Sequence, residues 1–142
     1  MAQLIDYNVS VPAVATNQVA ITVPITPNKI ILAQLGIFVL PQFANNNRVQ
    51  LVATFGAQAV ETTVDNTPPL LFRVFRDTQE IYYGVQGTES GFEHFYMVTF
   101  QVIDINVSSG AHSYSFFVEN LESNTVAQII GPMNVSAAVY AV

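Results

Sequence analysis

The sequence predicts an all-β fold: a single-domain antiparallel β-sandwich of the jelly-roll type, with about eight to ten strands. Three observations predict it. Apolar and polar residues alternate with a period of two along most of the 142 residues, and helical periodicity is nowhere sustained. Clusters of Gly, Pro, Asn, Asp and Ser punctuate the alternation at short intervals. No linker or low-complexity stretch divides the chain, so residues 1–142 read as one domain.

The elements follow in order. Leu4 to Val11 alternates and leads into a flexible stretch, Pro12-Ala13-Val14-Ala15-Thr16. Residues 1–16 are read as the first strand of the chain's own sandwich; the alternative is an arm that completes the sheet of a neighbouring subunit. Val19 to Val23 alternates until Pro24 and Pro27 end it, because proline cannot donate to a ladder. Ile30 to Leu40 is a long apolar strand with Gly36 at a bulge or close contact. Asn45, Asn46 and Asn47 form a turn that tolerates left-handed backbone.

Arg48 to Gly56 alternates again, and Ala57 to Pro69 reads as a long exposed connection. Leu70 to Arg76 and Ile81 to Val85 flank Asp77-Thr78-Gln79-Glu80 and make a hairpin. Gly87 to Gly91 is a loop. Phe95 to Ile105, Ala111 to Glu119, Val126 to Ile130 and Met133 to Val142 complete the strands. Ser108-Ser109-Gly110 is a turn, and Gly131-Pro132 is a break or bulge that splits the last two segments.

Composition bears on function. Charged residues make up 10% of the chain and apolar ones 51%, against a typical charged share of about 25%. Neutral Ser, Thr, Asn and Gln cover part of the surface, and the apolar excess predicts a subunit interface. In Leu70 to Arg76 both faces are bulky: Leu70, Phe72 and Val74 on one, Leu71 and Phe75 on the other. A one-domain antiparallel sandwich normally has a wet outer face, so such a strand predicts a cover. A neighbouring subunit is the simplest cover, and the chain's own loops are the alternative. The candidate interface residues are Leu4, Ile5, Tyr7 and Val9 on the arm, and Leu71, Arg73, Phe75, Tyr82 and Tyr83 on the packed face. Arg73 either joins Arg76, Asp77 and Glu80 across their hairpin or reaches a carboxylate on the next subunit.

Several function classes are excluded as expectations. The net charge of −6, with Lys29, Arg48, Arg73 and Arg76 as the fixed cations, does not suit nucleic acid or an anionic membrane. The chain has no Cys, which removes disulfides and thiolate chemistry. No run approaches the ~18 to 20 apolar residues of a membrane helix. The opening residues lack the basic start and apolar run of a signal peptide, so synthesis in a cytosol is expected. Asn-Val-Ser occurs at Asn8, Asn106 and Asn134 without a repeat around it, and glycosylation is not expected.

No catalytic, metal or cofactor residue is assigned, and the chain is not expected to be an enzyme. His94 and His112 lie in different strands, where a zinc site with Glu89 or Glu93 would be a coincidence of folding. A Ser-His-Asp trio is a matter of spatial neighbours, but no Gly-x-Ser-x-Gly elbow presents a nucleophile. Glu61, Asp65, Glu89 and Glu93 lie in or beside loops and offer no carboxylate pair. Most aromatics fall on alternating positions and read as core; Tyr82-Tyr83 is the best candidate for an exposed pair.

Several stretches resemble one family, the exosporium protein C type of spore-surface protein from Bacillus-group bacteria. They are Ile5-Asp6-Tyr7, Pro27-Asn28-Lys29-Ile30-Ile31-Leu32-Ala33 and Asn47-Arg48-Val49-Gln50-Leu51-Val52-Ala53-Thr54. The likeness continues through Leu71-Phe72-Arg73-Val74-Phe75-Arg76-Asp77, Ile103-Asp104-Ile105-Asn106-Val107-Ser108-Ser109-Gly110-Ala111-His112-Ser113-Tyr114 and Ile130-Gly131-Pro132. It implies a component of the outer layer of an endospore, made in the mother-cell cytosol. Its partners would be copies of itself and other spore-coat or exosporium proteins. The chain departs from related appendage subunits in lacking their cross-linking cysteines, and it has no collagen-like stalk. The expected function is that of a self-assembling structural subunit of a spore surface layer or appendage. The alternatives are a closed trimeric, tumour-necrosis-factor-like module that binds a carbohydrate or protein, and a phage or viral capsid or decoration protein.

Overall fold

The structure, a computed structural model, describes residues 2–60, 68–88 and 95–142. Its strands are β1 (Gln3–Ala13), β2 (Ile21–Thr22), β3 (Ile30–Val39), β4 (Asn47–Val60), β5 (Leu70–Arg76), β6 (Gln79–Gln86), β7 (Phe95–Ile105), β8 (Gly110–Asn120) and β9 (Val126–Ala141). A short 3-10 turn, Pro41–Phe43, joins β3 to β4. Sheet A has the order β1-β9-β4-β7, with β2 also paired to β9, and sheet B the order β3-β8-β5-β6. All pairings between named strands are antiparallel. Each sheet mixes strands from both ends of the chain, the crossing pattern of a jelly roll. The predicted fold class is the observed one.

Period two explains the core. On β4, Val49, Leu51, Ala53 and Phe55 are fully buried while Gln50, Val52 and Thr54 between them are partly exposed. Val135, Ala137 and Val139 of β9 join them from the same sheet. Leu70, Phe72 and Val74 of β5 and Tyr114, Phe116 and Val118 of β8 meet them from sheet B. Phe55 stacks on Phe72 with ring centroids 5.8 Å apart, and Phe100 of β7 packs against both. Aromatic contacts of this kind contribute about 0.5–1.5 kcal/mol each beyond area burial. The tight turns fall at residues that tolerate left-handed backbone: Asn45, Asp77 between β5 and β6, and Asn106 between β7 and β8.

Four elements differ from the sequence reading. The strand expected over Val19–Val23 shortens to β2, which pairs with Ile129 and Gln128 of β9. The expected bulge at Gly36 lies instead between Ile31 and Ala33, and Gly36 pairs regularly with Ser113. Ala57–Val60, read as exposed connection, continues β4, and Ala57 and Ala59 are fully buried. Alanine has low strand propensity, so only its ladders reveal this strand, to β9 from Ala57↔Ile129 to Val60↔Val126 and to β7 at Ala57↔Tyr96 and Gln58↔Phe95. Residues 61–67, the rest of that connection, lie outside the described residues, as do residues 89–94.

The fourth difference is that the bulge expected at Gly131-Pro132 is present but does not split the last two segments, since β9 runs unbroken past it. Phe55 pairs with Met133 and Ala57 with Ile129, so Ile130, Gly131 and Pro132 bulge opposite the single residue Gly56. Gly131 has φ +95°, and a Cβ on Gly56 would lie 1.9 Å from the Gly131 carbonyl oxygen. Both glycines are required by that approach.

The two sheets meet along a seam at β1 and β3. Asp6 Oδ2 accepts a hydrogen bond from the Phe38 backbone N–H at 2.8 Å, and Asn8 Nδ2 donates to the Gly36 carbonyl at 2.8 Å. Side chains of β1 thereby occupy backbone groups on the edge of β3. β1 itself pairs with β9 of the same chain, from Gln3↔Ala141 to Ala13↔Met133.

Candidate functional site

The seam places β1 beside sheet B; alternation sends Tyr7 and Val9 to the outer face of sheet A, and a register shift between Leu4 and Asp6 brings Leu4 onto the same face. All three are exposed, whereas Ile5 packs against the core. The strand register continues these positions across the sheet. One row runs Leu4, Tyr140, Arg48, Ile105; the next Tyr7, Ala138, Gln50, Ile103; the third Val9, Ser136, Val52, Gln101. Asn134, Thr54 and Thr99 extend the face, with the Thr54 and Thr99 hydroxyls 3.0 Å apart. Met97 and Phe95 close it at the β7 end, where Met97 is 61% exposed.

Among the described residues, Arg48 is the one charged side chain on this face. It donates to the Asn47 carbonyl at 2.9 Å and to Asn106 Oδ1 at 3.1 Å. From strand spacing and rise the face measures roughly 20 by 30 Å. One partner's share of a specific protein interface is about 800 Å², a similar scale.

The outer face of sheet B is organised by charge. Arg73 on β5 donates to Glu119 on β8 at 2.5 Å and to Glu80 on β6 at 2.6 Å. Glu119 is 2% exposed and also accepts from the Thr26 hydroxyl at 2.5 Å. Burial pushes the Glu119 carboxyl up, but the hydrogen bonds from Thr26 and Arg73 outweigh it and hold it below the ordinary range. Those carboxylates raise Arg73 in turn. The carboxylates that meet Arg73 therefore belong to its own chain. Lys29 lies over the Phe75 and Phe117 rings, at 5.8 and 5.5 Å from their centroids, beside a shallow cleft of about 230 Å³.

The predicted face on β5 and β6 is thus only partly assembled. Leu71, Arg73, Phe75 and Tyr83 share the outer side of sheet B, and Tyr83 is 68% exposed. Leu71 is buried within the single chain. Tyr82 corrects the reading of Tyr82-Tyr83 as an exposed pair. It is the register partner of Val74, points inward, and stacks on Phe100 at 5.3 Å with rings nearly parallel. Adjacent residues of a strand point to opposite faces, so only one of the two could be outside. Arg76, grouped with Asp77 from sequence, pairs with Asp104 of β7 at 2.5 Å, and Tyr114 donates to the same carboxylate at 2.8 Å.

The fold also brings together a Ser, a His and an Asp. His112 Nδ1 lies 2.7 Å from Asp77 Oδ2, and Nε2 lies 2.8 Å from the Ser108 carbonyl oxygen. The Ser108 hydroxyl is farther, at 3.4 Å. With Nε2 directed at a carbonyl, the trio ties the β7–β8 turn to the β5–β6 turn and does not orient Ser108 as a nucleophile. Burial raises the Asp77 carboxyl, but hydrogen bonds from His112 and the Ser113 N–H hold it below the ordinary range. His94 and its neighbours Glu89 and Glu93 lie outside the described residues. Among the described residues no group of three or more His, Cys, Asp or Glu could hold a metal.

Sequence reasoning missed the outer side of β7 as part of this surface. Phe95, Met97, Ile103 and Ile105 point outward and are exposed, while Val98, Phe100 and Val102 point into the core. The signal was present, because Phe95 to Ile105 is apolar at both parities, as Leu70 to Arg76 is.

No protein-family model matches the chain, and no curated protein matches it significantly. Solved structures do. The chain is similar to a chain in the structure of infectious bursal disease virus, Gx strain, at 12% identity and TM-score 0.54, covering 96% of this chain and 36% of that one. The VP2 protein of that virus in T=1 particles gives 10% identity and TM-score 0.53, with 96% and 36% covered. The chain spans about a third of the length of these viral chains. The CBM36-1 domain of a multidomain xylanase from the hindgut metagenome of Trinervitermes trinervoides gives 8% identity and TM-score 0.48, covering 93% and 96%. At these identities the likeness is one of fold.

Proposed function

We propose that this chain is a self-assembling structural subunit, and that its outer sheet A face is where copies pack. The observation that carries the reading is the near-absence of charge across four strands of that face, in rows that end in exposed Leu4, Tyr7, Ile103 and Ile105. Covering such a surface releases water from apolar groups and, Arg48 apart, desolvates only neutral amides and hydroxyls, which can pair with one another. Sheet B lacks this property, since a partner there would have to accommodate Arg73, Glu80 and Lys29. The fold shared with capsid chains is compatible with assembly. On the resemblance of its sequence stretches, the site of assembly is the surface of an endospore, with other coat or exosporium proteins as further partners.

Negative-stain electron microscopy of the purified protein tests the reading. Fibres, sheets or shells made of the chain alone are expected. A monomer at high micromolar concentration would overturn it. A uniform trimer would favour the closed, ligand-binding alternative.

A further inference from the structure

The edges of the two sheets are not equivalent. β1 and β3 are tied together by Asp6 and Asn8, and β6 carries Glu80 and an irregular register between Val74 and Phe75. Charges and irregularities of this kind discourage further strand pairing. β7 has neither. Its register with β4 is unbroken from Gln58↔Phe95 to Arg48↔Ile105, and among the described residues β7 is the last strand of its sheet. Between Phe95 and Ile105 there is no Lys, Arg, Glu or Pro, and Asp104 points inward to Arg76 and Tyr114.

The outward side chains of β7 read Phe95, Met97, Thr99, Gln101, Ile103, Ile105. This order is a chemical palindrome about Phe100. Placed antiparallel to a second β7 with Phe100 opposite Phe100, the outer face pairs Phe95 with Ile105, Met97 with Ile103, and Thr99 with Gln101. The inner face pairs Val98 with Val102 and Tyr96 with Asp104. Apolar meets apolar, and hydroxyl meets amide, in every outer pair. No one-residue or two-residue slip preserves that match. A self-complementary edge is what a two-fold contact between identical chains requires.

We infer that β7 pairs antiparallel with β7 of a second copy about a two-fold axis at Phe100, joining two A sheets into one continuous layer. The inference rests on the self-assembly reading and gives it a first contact: edge pairing makes the dimer, whose doubled neutral face then packs on others.

Because the chain has no Cys, an introduced pair of thiols reports the register. Positions 97 and 103 are six residues apart on one strand, about 20 Å, far beyond the ~7 Å limit of a disulfide. The variant M97C/I103C can therefore cross-link only between copies. Mild oxidation is expected to give a covalent dimer on non-reducing gels. M97C alone is expected to give none, because the two introduced thiols would lie about 20 Å apart. The variant M97K/I103K, which sets lysine opposite lysine, is expected to shift the sedimenting species to half its mass or less, with an unchanged far-UV circular dichroism spectrum. Equal cross-linking by M97C and M97C/I103C, or no cross-linking by either, would overturn the pairing. If wild-type polymers form all the same, assembly stands and the edge pairing alone fails. A monomeric wild type would remove both.

Discussion

On the outer face of sheet B, Lys29, Arg73, Glu80 and Glu119 gather around two phenylalanines, and each of the two bonds made by Arg73 closes within the chain. On the outer face of sheet A the same area of β-structure carries Arg48, neutral polar residues and exposed aliphatic ones. Both faces are amphipathic, but their polarity has different consequences. Charge paired within one molecule strengthens that molecule and makes the surface costly to cover. Uncharged polarity contributes less to the monomer and costs little to desolvate when an amide or hydroxyl finds a partner. On the proposed function, the difference teaches that an assembly face is better recognised by where charge is missing than by where apolar residues are most numerous.

The largest effect should come from charging the neutral face. Val52→Glu, at the centre of sheet A, is expected to abolish assembly in micrographs and sedimentation while costing the monomer less than about 1 kcal/mol. Tyr83→Glu on sheet B is expected to leave assemblies intact. Equal effects from the two would erase the contrast between the faces.

Next comes the charge network. Glu119→Gln should lower folding stability by about 2 kcal/mol in urea titration, because Arg73 and Thr26 each lose a charged acceptor. Assembly size should not change. The network also predicts a pH dependence. The folded-state value of Glu119 is depressed below the ordinary 4.5, so its contribution is complete above that pH and is lost as pH falls through the lower folded value. Urea midpoints measured from neutral pH down to acid should fall more steeply for wild type than for Glu119→Gln; parallel curves would deny Glu119 this role.

The smallest effect should attend Arg48→Gln, within about 0.5 kcal/mol of wild type. Assembly across sheet A should be nearly indifferent to salt, since over a Debye length of about 10 Å there is little charge to screen. A strong loss of assembly between low and high salt would point to the charged face instead.

Much of this architecture is legible in the sequence, and the parts that are not share a cause. Alternation located Leu4 to Val11, Arg48 to Gly56 and Ala111 to Glu119, because burying one face imposes period two. The turns at Asp77 and Ser108-Ser109-Gly110 were legible from residue chemistry. Ala57–Val60 was not, since its strand exists only through pairing with the distant strands β9 and β7. Glu119 resembled any carboxylate at a strand end until Thr26 and Arg73, 93 and 46 residues away, closed on it. For the candidate surface, Leu4 joins its face only through the register shift between Leu4 and Asp6, whereas the shared face of Tyr7 and Val9 was legible from parity. Their continuation through Gln50 and Ser136 to Ile103 was not, because it depends on the strand order β1-β9-β4-β7, which no local pattern encodes.

The seam at β1 and β3 has a consequence for how far a sheet can grow. A strand edge that can accept one more strand can, in principle, accept a thousand, and an indefinitely templated sheet is the route to cross-β deposits. Asp6 and Asn8 spend the exposed backbone groups of Phe38 and Gly36 on contacts inside the chain. Each molecule therefore has a terminated rim and an open one at β7. If β7 pairs as inferred, growth along the hydrogen-bond direction would stop after a single junction, and larger order would be built by stacking finished layers, leaving each chain folded and the assembly dismantlable.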